Sequence, residues 1–448
     1  MKVALIGGGG FRTPLTYEAL LAVADHLPID QLTLHDADPD RLARIDLVLS
    51  GIDQQRGTSL PRQTTTDLHA AVDGAHFVLC AIRVGGLAGR VIDERVPLAE
   101  GVVGQETTGP GGICFALRTV PVLLDVARVV ARRAPDAWFI NFTNPVGLVT
   151  EALQTVLGPR AIGVCDTPVG LCRRVAHALG VEANDLWFDY FGLNHLGWLS
   201  AARDASGDRL PELLADDAAL GSFEEGRLFG AQWLRTLGMI PNEYLVYYYA
   251  AARIVGAVAE RGFGRAEYLL EQQGRFYDRP LGTPVDALSA WRAATAERDR
   301  TYLAEVHSQA DDPIAFPVHE GGAQGYAAVA ADLMRGLHDN KRSVMILNTA
   351  NQRAVPGLDA RAVVEVPCVV SSAGVAPLAV ADVPPHAQAL MQTIKDVERT
   401  TIEAALSGSR PLAVKALALH PLVPSVDVAE RIFAAYQTSQ PLLQRQFA

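Results

Sequence analysis

Short apolar runs alternate with helical patterns over the first third of the chain. Five runs have the length and composition of buried strands: KVALI at 2–6, QLTLH at 31–35, AHFVLCAI at 75–82, AWFIN at 137–141 and RAIGV at 160–164. Helical periodicity separates them, at 15–27, 39–49, 115–134 and 145–157. Strands that alternate with helices predict βαβ units with right-handed crossovers, and hence a doubly wound parallel sheet.

The pattern changes after about residue 165. The later elements are predicted to be a strand at 186–193, an acidic surface excursion at 207–222, helices at 227–261, strands at 343–348 and 363–370, and a mostly helical C-terminal stretch. We therefore predict an α/β protein with two domains. An N-terminal doubly wound Rossmann-type domain covers 1–170, and a larger C-terminal α+β domain covers 171–448.

Composition narrows the class of protein. The chain has 448 residues, 49% of them hydrophobic and 20% charged, which rules out a disordered or coiled-coil chain. Its net charge of −11 argues against a nucleic-acid or anionic-membrane partner, but leaves room for a local basic pocket that binds an anionic substrate. No apolar run reaches the length of about 18 residues that a membrane helix needs. Five sparse cysteines and a short N-terminal apolar stretch predict a cytoplasmic protein with free thiols.

A glycine run, Gly7 to Gly10, follows the first strand and precedes a helix. Glycines at this place permit a tight turn and let backbone N–H groups approach a pyrophosphate. A plain βα turn is the alternative, because Arg12 breaks the usual glycine spacing. Asp36 ends the second strand, where a carboxylate binds a ribose diol and favours NAD over NADP, with Asp38 as the alternative.

Residues 83–112 form a glycine-rich polar run past the end of the third predicted strand, where doubly wound folds bind ligands. We interpret this run as a long loop, either functional or merely solvated. Its charged residues include Arg83, Arg90, Arg95, Asp93, Glu94 and Glu106. Because arginine binds phosphate and carboxylate through two parallel hydrogen bonds, the run is a candidate ligand-binding segment.

Two further strand ends carry polar side chains. Asn141 and Asn144 are placed to bind a ribose, a nicotinamide or a sugar hydroxyl, although Asn144 alternatively caps the next helix. Cys165 and His195 each end a predicted strand, and a thiolate with an imidazole suits a divalent metal whose shell substrate oxygens complete. The alternative is a buried structural cysteine, which is our interpretation of Cys172.

Three tyrosines, Tyr244, Tyr247 and Tyr248, fall at spacings that put them on one helical face. A packing stripe is one interpretation of that spacing. The other is a general base, because a nearby cation lowers the pKa of a phenol.

These motifs together resemble the NAD- and metal-dependent glycoside hydrolases of family 4, in particular the 6-phospho-β-glucosidase branch. The resemblance covers nearly the whole chain. It rests on IGGGGFRTP at 6–14, RVGG followed by Arg90, Asp93 and Glu94 at 83–94, GQETTGPGG at 104–112, NFTNPVGLVTEA at 141–152, GVCDTP at 163–168, GLNHLGW at 192–198, IPNEYLVYY at 240–248 and VVEVPC at 363–368. Members of the family look like lactate and malate dehydrogenases in their first domain.

The resemblance implies hydrolysis of 6-phosphoglycosides by redox-assisted elimination, without the usual pair of carboxylates. In such a reaction NAD⁺ takes hydride from C3 of the sugar, and a Mn²⁺-type ion polarises the ketone and acidifies the C2 proton. A tyrosine removes that proton, the aglycone leaves C1, water adds, and NADH returns the hydride. The implied partner is a small glycoside, and the implied assembly is a homo-oligomer, a dimer or a tetramer.

The resemblance also implies roles for individual residues. Cys165 and His195 correspond to the metal ligands, and Tyr244 to the base, with Tyr247 and Tyr248 still open. For the substrate the matching residues are Arg90 at the 6-phosphate, Glu106 and Asn144 at the hydroxyls, and Asp166 at a hydroxyl or the leaving group. For the cofactor they are Gly7, Gly9, Gly10, Phe11, Arg12, Asp36, Arg83 and Asn141.

The chain departs from the usual family pattern in two places. The first loop reads Gly10-Phe11-Arg12 where a serine is usual, and EGGA at 320–323 stands where RGGA is usual. These departures leave open an unphosphorylated or differently charged glycoside as the substrate. The motifs also leave open an α-glycosidase or α-galacturonidase of the same family, a 2-hydroxy-acid dehydrogenase, and a non-catalytic NAD sensor.

Overall fold

A computed structural model describes residues 1–262, 264–280, 282–301, 325–380 and 382–448. The strands are, in chain order, β1 (Lys2–Ile6), β2 (Gln31–His35), β3 (Arg62–Thr65), β4 (Phe77–Cys80), β5 (Trp138–Asn141), β6 (Ala161–Gly163), β7 (Trp187–Leu193), β8 (Leu196–Asp204), β9 (Gly207–Asp208), β10 (Ile240–Pro241), β11 (Ser343–Ala350), β12 (Val363–Ser371) and β13 (Gly374–Pro377). The segment 320–323, where an acid replaces the usual arginine, lies outside the described residues.

Helices connect these strands. They are α1 (Thr13–Ala22), α2 (Pro39–Arg56), α3 (Leu68–Val72), α4 (Gly86–Ala99), α5 (Pro110–Arg133), α6 (Val146–Leu157), α7 (Thr167–Ala178), α8 (Leu210–Ala215), α9 (Asp217–Gly221), α10 (Glu224–Phe229), α11 (Ala231–Leu237), α12 (Val246–Tyr249), α13 (Ala251–Arg261), α14 (Arg265–Tyr277), α15 (Pro284–Arg300), α16 (Tyr326–Asp339), α17 (Pro385–Ser407), α18 (Arg410–Leu419), α19 (Val426–Ser439) and α20 (Pro441–Gln446). Short 3₁₀ turns lie at Gly158–Arg160, Ala183–Asp185 and Glu243–Leu245.

The central sheet has the strand order expected for a dinucleotide-binding fold. Strands β3, β2, β1, β4, β5 and β6 lie side by side and pair in parallel, which is the 3-2-1-4-5-6 order of the Rossmann sheet. The predicted N-terminal doubly wound sheet is therefore confirmed. Because the carboxyl ends of all six strands lie at one edge, the loops that follow them meet there.

Side chains of β1 alternate between two hydrophobic cores on opposite faces of this sheet. Val3 and Leu5 pack in the core that includes α1, α2, α15 and α16. Ala4 and Ile6 pack in the core that includes α5, α6 and the C-terminal helices α17 to α20. A strand that is buried on both faces reads as a continuous apolar run, which is why KVALI was recognisable in the sequence.

The second half of the chain contributes strands to the same sheet. Asn348 of β11 pairs antiparallel with Gly163 of β6, and β12 and β13 continue the sheet beyond it. A separate small sheet contains the hairpin of β7 and β8, with β9 and β10 paired to β8. The domain boundary at 170 stays a prediction. The central sheet includes strands from both sides of this boundary, because β11, β12 and β13 belong to it.

Three features differ from the sequence-based prediction. Strand β3 was not predicted, because its sequence RQTT is polar and lies at the sheet edge. The run 83–112 is not one loop, because helix α4 occupies Gly86–Ala99. The sequence did not predict this helix because it contains Gly89 and Pro97 and because its buried face carries charged residues. The acidic excursion at 207–222 folds into β9, α8 and α9.

Two further predictions concerned free cysteine thiols and the lack of a membrane-spanning helix. All five cysteines lie in the described part of the chain, and each is buried with a free thiol. Among the described residues, the helices lack the combination of length and apolar character that crossing a bilayer requires.

Candidate active site

The loops at the carboxyl edge of the parallel strands surround a cavity of about 1570 Å³. Its walls contain all of the predicted site residues except Gly9 and Asn141. The fold therefore gathers positions that are widely separated in the sequence. A cavity of this size at the switch edge of a Rossmann sheet is the usual place for a dinucleotide and a substrate together.

The glycine loop leaves no room for side chains along its backbone. Gly7 has a φ of +89°, and a Cβ there would lie 2.4 Å from the carbonyl oxygen of Ala81. Gly9 donates its N–H to Asp36 Oδ2 at 3.0 Å, which fixes the carboxylate at the end of β2. This close-packed loop before α1 fits a dinucleotide, because a pyrophosphate needs direct approach to the backbone.

Asp36 and Asp38 have different tasks in the structure. Asp36 faces the cavity, whereas Asp38 caps α2 by accepting the backbone N–H groups of Asp40 and Arg41. Asp36 also accepts two backbone N–H groups, from Gly9 and Asp38, but unlike Asp38 it lines the cavity. Asp36 is therefore the residue placed to meet a ribose.

Two aromatic side chains from the second half of the chain hold the glycine loop. Tyr277 donates its hydroxyl to the carbonyl of Gly9 at 2.8 Å, and Trp291 donates its indole N–H to the carbonyl of Phe11 at 2.8 Å. The ring of Phe11 packs edge-on against Phe276 at 5.5 Å. The loop is thus shaped by α14 and α15, and no sequence signal near the glycines points to these contacts.

Arg83, Arg90 and Glu106 form a largely buried ion-pair group in the cavity wall. Arg83 Nη2 bonds Glu106 Oε2, and Arg90 pairs with both Glu106 at 3.0 Å and Glu94 at 2.7 Å. Burial raises the pKa of Glu106, but the charges of Arg83 and Arg90 outweigh it and lower the pKa to about 2. Glu106 is therefore a carboxylate at neutral pH. Arg90, predicted to meet a phosphate, already faces two carboxylates.

The two asparagines at the end of β5 have different surroundings. Asn141 is fully buried, and its side chain bonds the backbone of Thr143 and the hydroxyl of Thr150, so it shapes the turn and does not line the cavity. Asn144 lines the cavity instead. Its Oδ1 is buried without a hydrogen-bond partner among the described residues, and Pro145, not Asn144, occupies the N-cap of α6. An unpaired amide oxygen at this place fits a donor from a ligand.

His195 occupies the two-residue turn between β7 and β8, with a φ of +60°. The Thr107 hydroxyl donates to Gln105 Oε1 at 2.9 Å, so it accepts from His195 Nδ1–H at 2.8 Å. This arrangement leaves the lone pair on Nε2. Burial lowers the pKa of His195 to about 4, so the ring is neutral at pH 7, which is the form that binds a metal.

Cys165 follows β6 and faces the same cavity as His195. Burial, followed by the charges of Glu365 and Asp166, raises the pKa of the Cys165 thiol well above its usual range. A bound cation reverses that effect, because it favours the thiolate. Asp166 also acts on the titration of His195, so its carboxylate lies near both residues. A neutral imidazole and a thiol with an adjacent carboxylate fit a divalent cation.

The part of the chain that the structure describes contains no group of three or more His, Cys, Asp and Glu side chains with metal-binding geometry. A cation held by Cys165 and His195 thus needs oxygens from a ligand. Completion of the shell by substrate oxygens stays a prediction.

Tyr244 lies in the cavity wall, on the 3₁₀ turn before α12. Its ring stacks on His195 with centroids 3.6 Å apart and planes at 4°. Tyr247 instead packs in a hydrophobic cluster, and Tyr248 stacks on His420 at 5.8 Å. Of the three tyrosines left open by the sequence, the fold brings Tyr244 to the cavity beside the candidate metal ligands.

Arg298, which the sequence did not indicate as a site residue, lines the same cavity. Arg298 of α15 lies close to Arg12 and Arg265, and its Nε is buried without a hydrogen-bond partner among the described residues. Burial and the charges of these two arginines lower the pKa of Arg298 to about 9. Guanidinium groups that are buried near one another are stabilised by an anion between them.

Glu365 of β12 lies outside the cavity lining and contacts Asn194, the residue that precedes His195. Its carboxylate accepts hydrogen bonds from Tyr190, Asn194 and Asn348. Burial raises the pKa of Glu365 to about 7, against the lowering effect of these bonds. The segment VVEVPC at 363–368 contained this residue, but nothing in its spacing indicated a contact with the turn of His195.

Comparison with known proteins places these features in a family. A model described as the family 4 glycosyl hydrolase matches residues 2–181, and a model of the C-terminal domain of the same family matches residues 190–423. A probable 6-phospho-β-glucosidase of Bacillus subtilis is 32% identical over 442 residues, which cover 96% of this chain and 94% of that protein.

Solved structures agree with this comparison. A 6-phospho-β-glucosidase from Thermotoga maritima, with manganese, NAD⁺ and glucose-6-phosphate, superposes with a TM-score of 0.81 at 27% identity, covering 98% of each chain. A 6-phospho-α-glucosidase from gut microorganisms, with NAD and glucose-6-phosphate, gives a TM-score of 0.82 at 25% identity, covering 98% of this chain and 97% of that one. Relatives that act on both anomers thus share the architecture.

Proposed function

Because the chain belongs to family 4 of the glycosyl hydrolases, we propose that it hydrolyses 6-phospho-β-glucosides with NAD and a divalent cation, Mn²⁺, as cofactors. The observation that carries the proposal is the stacking of Tyr244 on His195 in the cavity that also contains Cys165 and Asp36. A dinucleotide loop, a pair of soft metal ligands and a candidate base face one space. A dehydrogenase or a sensor does not need all three.

The cofactors supply one part of the chemistry: when bound, they provide transient oxidation at C3 of the sugar and polarisation of the resulting carbonyl, which acidifies the C2 proton. Cys165 and His195 hold the cation, and Asp36 with the glycine loop holds NAD. Side chains of the cavity wall carry out the proton transfers and bind the sugar hydroxyls.

Tyr244 removes the C2 proton through its hydroxyl oxygen in the proposed reaction. Its ring is fixed face to face against His195, so the hydroxyl has little freedom of position. Loss of the C2 proton breaks the C2–H bond, and its electron pair expels the aglycone oxygen from C1. Water then adds at C1, and a proton returns to C2.

Asp166 is proposed to serve the leaving group or a sugar hydroxyl. It precedes α7 and is not engaged as a side-chain cap of that helix. Its carboxylate lies near both Cys165 and His195, so a substrate that contacts the cation also passes Asp166. Asn144, whose amide oxygen lacks a partner in the described residues, is proposed to accept a hydrogen bond from another hydroxyl.

The 6-phosphate is proposed to lie against Arg298 and Arg12. These two arginines line the same cavity, and the charge of Arg12 contributes to lowering the pKa of Arg298. A phosphate neutralises such a group and satisfies the buried Arg298 Nε. An arginine at position 12 thus fills the place where the family usually has a serine.

The test is an assay of p-nitrophenyl β-glucoside 6-phosphate, its α anomer and both unphosphorylated sugars with NAD⁺ and Mn²⁺ in D₂O. We expect rapid release of nitrophenol from the phosphorylated β anomer, deuterium at C2 of the product, and no net formation of NADH. EDTA should abolish turnover and added Mn²⁺ should restore it.

Each competing function gives a different result in the same assay. Preference for the α anomer would reassign the specificity within the family. Stoichiometric growth of NADH absorbance would indicate a dehydrogenase. Turnover without deuterium at C2 would exclude the elimination route for this chain.

A further inference from the structure

Glu365 lies behind the active site, on β12, and does not line the large cavity. Its side chain is 1% exposed, and its two oxygens serve different parts of the site. Oε1 accepts from Asn194 at 3.1 Å and from its cross-strand neighbour Asn348 at 2.8 Å. Oε2 accepts from the hydroxyl of Tyr190 at 3.0 Å.

The first branch from Glu365 leads to the metal ligand. Asn194 and His195 form the two-residue turn between β7 and β8. His195 adopts a left-handed φ of +60°, a conformation that a non-glycine residue keeps only when its surroundings enforce it. The bond from Asn194 to Glu365 anchors one side of this turn, and Thr107 holds the imidazole from the other side.

The second branch leads to the candidate base. Because the Tyr190 hydroxyl donates to Glu365, it accepts from Asn242 Nδ2 at 3.1 Å. Asn242 Oδ1 in turn accepts the backbone N–H of Tyr244 at 3.1 Å and caps the 3₁₀ turn on which Tyr244 lies. One carboxylate is thus connected by hydrogen bonds to both turns.

Glycine at position 197 makes the second branch possible. A Cβ on Gly197 would lie 2.1 Å from the Tyr190 hydroxyl oxygen, so any side chain there would displace the phenol from Glu365. The carbonyl of Gly197 also accepts the backbone N–H of Asn242 at 2.9 Å. The packing of this strand end therefore serves the hydrogen-bond chain.

We propose that Glu365 is a positioning residue that sets His195 and Tyr244 in register with one another through these two hydrogen-bonded branches. The inference rests on the proposed function of Cys165, His195 and Tyr244. Buried groups that orient metal ligands commonly account for 10- to 100-fold in metal affinity. Glu365 reaches the metal ligand through Asn194, and it reaches the candidate base through Tyr190 and Asn242.

The test uses Glu365→Gln and, as a matched control, Glu151→Gln. Glu151 is also a largely buried carboxylate with several donors, Lys395, Arg399 and the backbone of Val363, but it does not line the cavity. We expect Glu365→Gln to weaken Mn²⁺ binding at least tenfold in titration calorimetry with NAD present. Glu151→Gln should lower the melting temperature and leave Mn²⁺ affinity within about twofold.

A second pair separates the two branches and keeps the test open if Glu365→Gln does not fold. Tyr190→Phe removes only the hydroxyl that links Glu365 to Asn242. We expect kcat to fall about tenfold while KM and Mn²⁺ affinity stay within about twofold. Tyr17→Phe removes a buried hydroxyl that is bound to Asp53 and does not line the cavity, and it should leave kcat unchanged.

The outcomes are distinguishable. If wild-type protein and both Glu365 and Tyr190 variants bind Mn²⁺ and turn over alike, the positioning role of Glu365 is refuted while the proposed function stands. If Tyr190→Phe and Tyr17→Phe change kcat equally, the link to Tyr244 is refuted. If the wild-type protein itself binds no Mn²⁺, both the proposed function and the positioning role of Glu365 are refuted.

Discussion

The imidazole of His195 lies flat against the phenol of Tyr244, with 3.6 Å between ring centroids and 4° between ring planes. One ring belongs to a hairpin turn of the small sheet, and the other to a 3₁₀ turn beside α12. Stacking at this distance makes the candidate metal ligand and the candidate base a single rigid unit. A shift of either turn therefore displaces both groups from the sugar.

Tyr244→Phe should separate catalysis from structure. Phenylalanine retains the ring that stacks on His195 but lacks the oxygen that takes the C2 proton. Since a positioned base contributes roughly 10² to 10⁴ in rate, we expect kcat to fall by that factor. NAD affinity, measured by quenching of protein fluorescence, and the melting temperature should match wild type.

The matched controls for Tyr244 are its neighbours. Tyr247→Phe and Tyr248→Phe alter rings that pack in a hydrophobic cluster and against His420. Both should keep kcat within about threefold, well inside the range that a base contributes. If either of these variants loses activity and Tyr244→Phe does not, the base has been assigned to the wrong ring.

Arg298→Gln should reveal whether a phosphate is recognised. A charge-assisted hydrogen bond contributes about 1.5–3 kcal/mol, so KM for the 6-phosphorylated substrate should rise roughly 10- to 100-fold. Activity on the unphosphorylated sugar should hardly change. Arg292→Gln, on the same helix and bonded to Gln55 at the surface, is the control that should leave both KM values unchanged. Equal loss on both sugars would remove Arg298 from phosphate recognition.

Glu106 predicts a specific dependence of stability on pH. Its pKa falls from 4.5 to about 2 in the folded protein, so its ion pairs stabilise the fold above pH 4.5 and lose that effect as pH falls toward 2. At about 1.4 kcal/mol per unit the effect is roughly 3 kcal/mol. Denaturant unfolding should show a gap between wild type and Glu106→Gln that is largest near pH 7 and closes by about pH 2.

The control for Glu106 is a carboxylate at the surface. Glu100 pairs with Arg431, whose side chain is 56% exposed, and such pairs contribute at most about 1 kcal/mol. Glu100→Gln should therefore change the free energy of unfolding little at any pH. A gap for Glu106→Gln that does not depend on pH would mean that packing, and not charge, is responsible.

Gly7→Ala should destabilise the cofactor loop severely. The methyl group would meet the Ala81 carbonyl at 2.4 Å in a backbone conformation with φ of +89°. Strain and overpacking together should cost roughly 2–5 kcal/mol of unfolding free energy and abolish NAD binding. Gly57→Ala is the matched control, since Gly57 has a φ of +69° with open space around it, and should cost only about 1–2 kcal/mol. Similar costs for the two variants would mean that the contact with Ala81 is unimportant.

The sequence predicted those features that depend on neighbours along the chain. β1 reads as a buried strand because both of its faces are apolar, and Gly7 and Asp36 are recognisable because each follows a strand. The strand ends also indicated Cys165 and His195 as a candidate metal pair, and the family resemblance supported that pair and added the choice of Tyr244. The polar edge strand β3 and the helix α4 were missed, since neither has the apolar pattern that identifies an element.

Tertiary structure alone decided which side chains act together. Asn141 and Asn144 lie three positions apart in the same motif, yet one is committed to a buried turn and the other faces the cavity. Tyr277, Arg298 and Glu365 come from distant elements and meet the site only after the chain has folded. Local patterns encode strands and turns because those are short-range, whereas hydrogen-bond partners and buried charges depend on distances between elements that no spacing along the chain specifies.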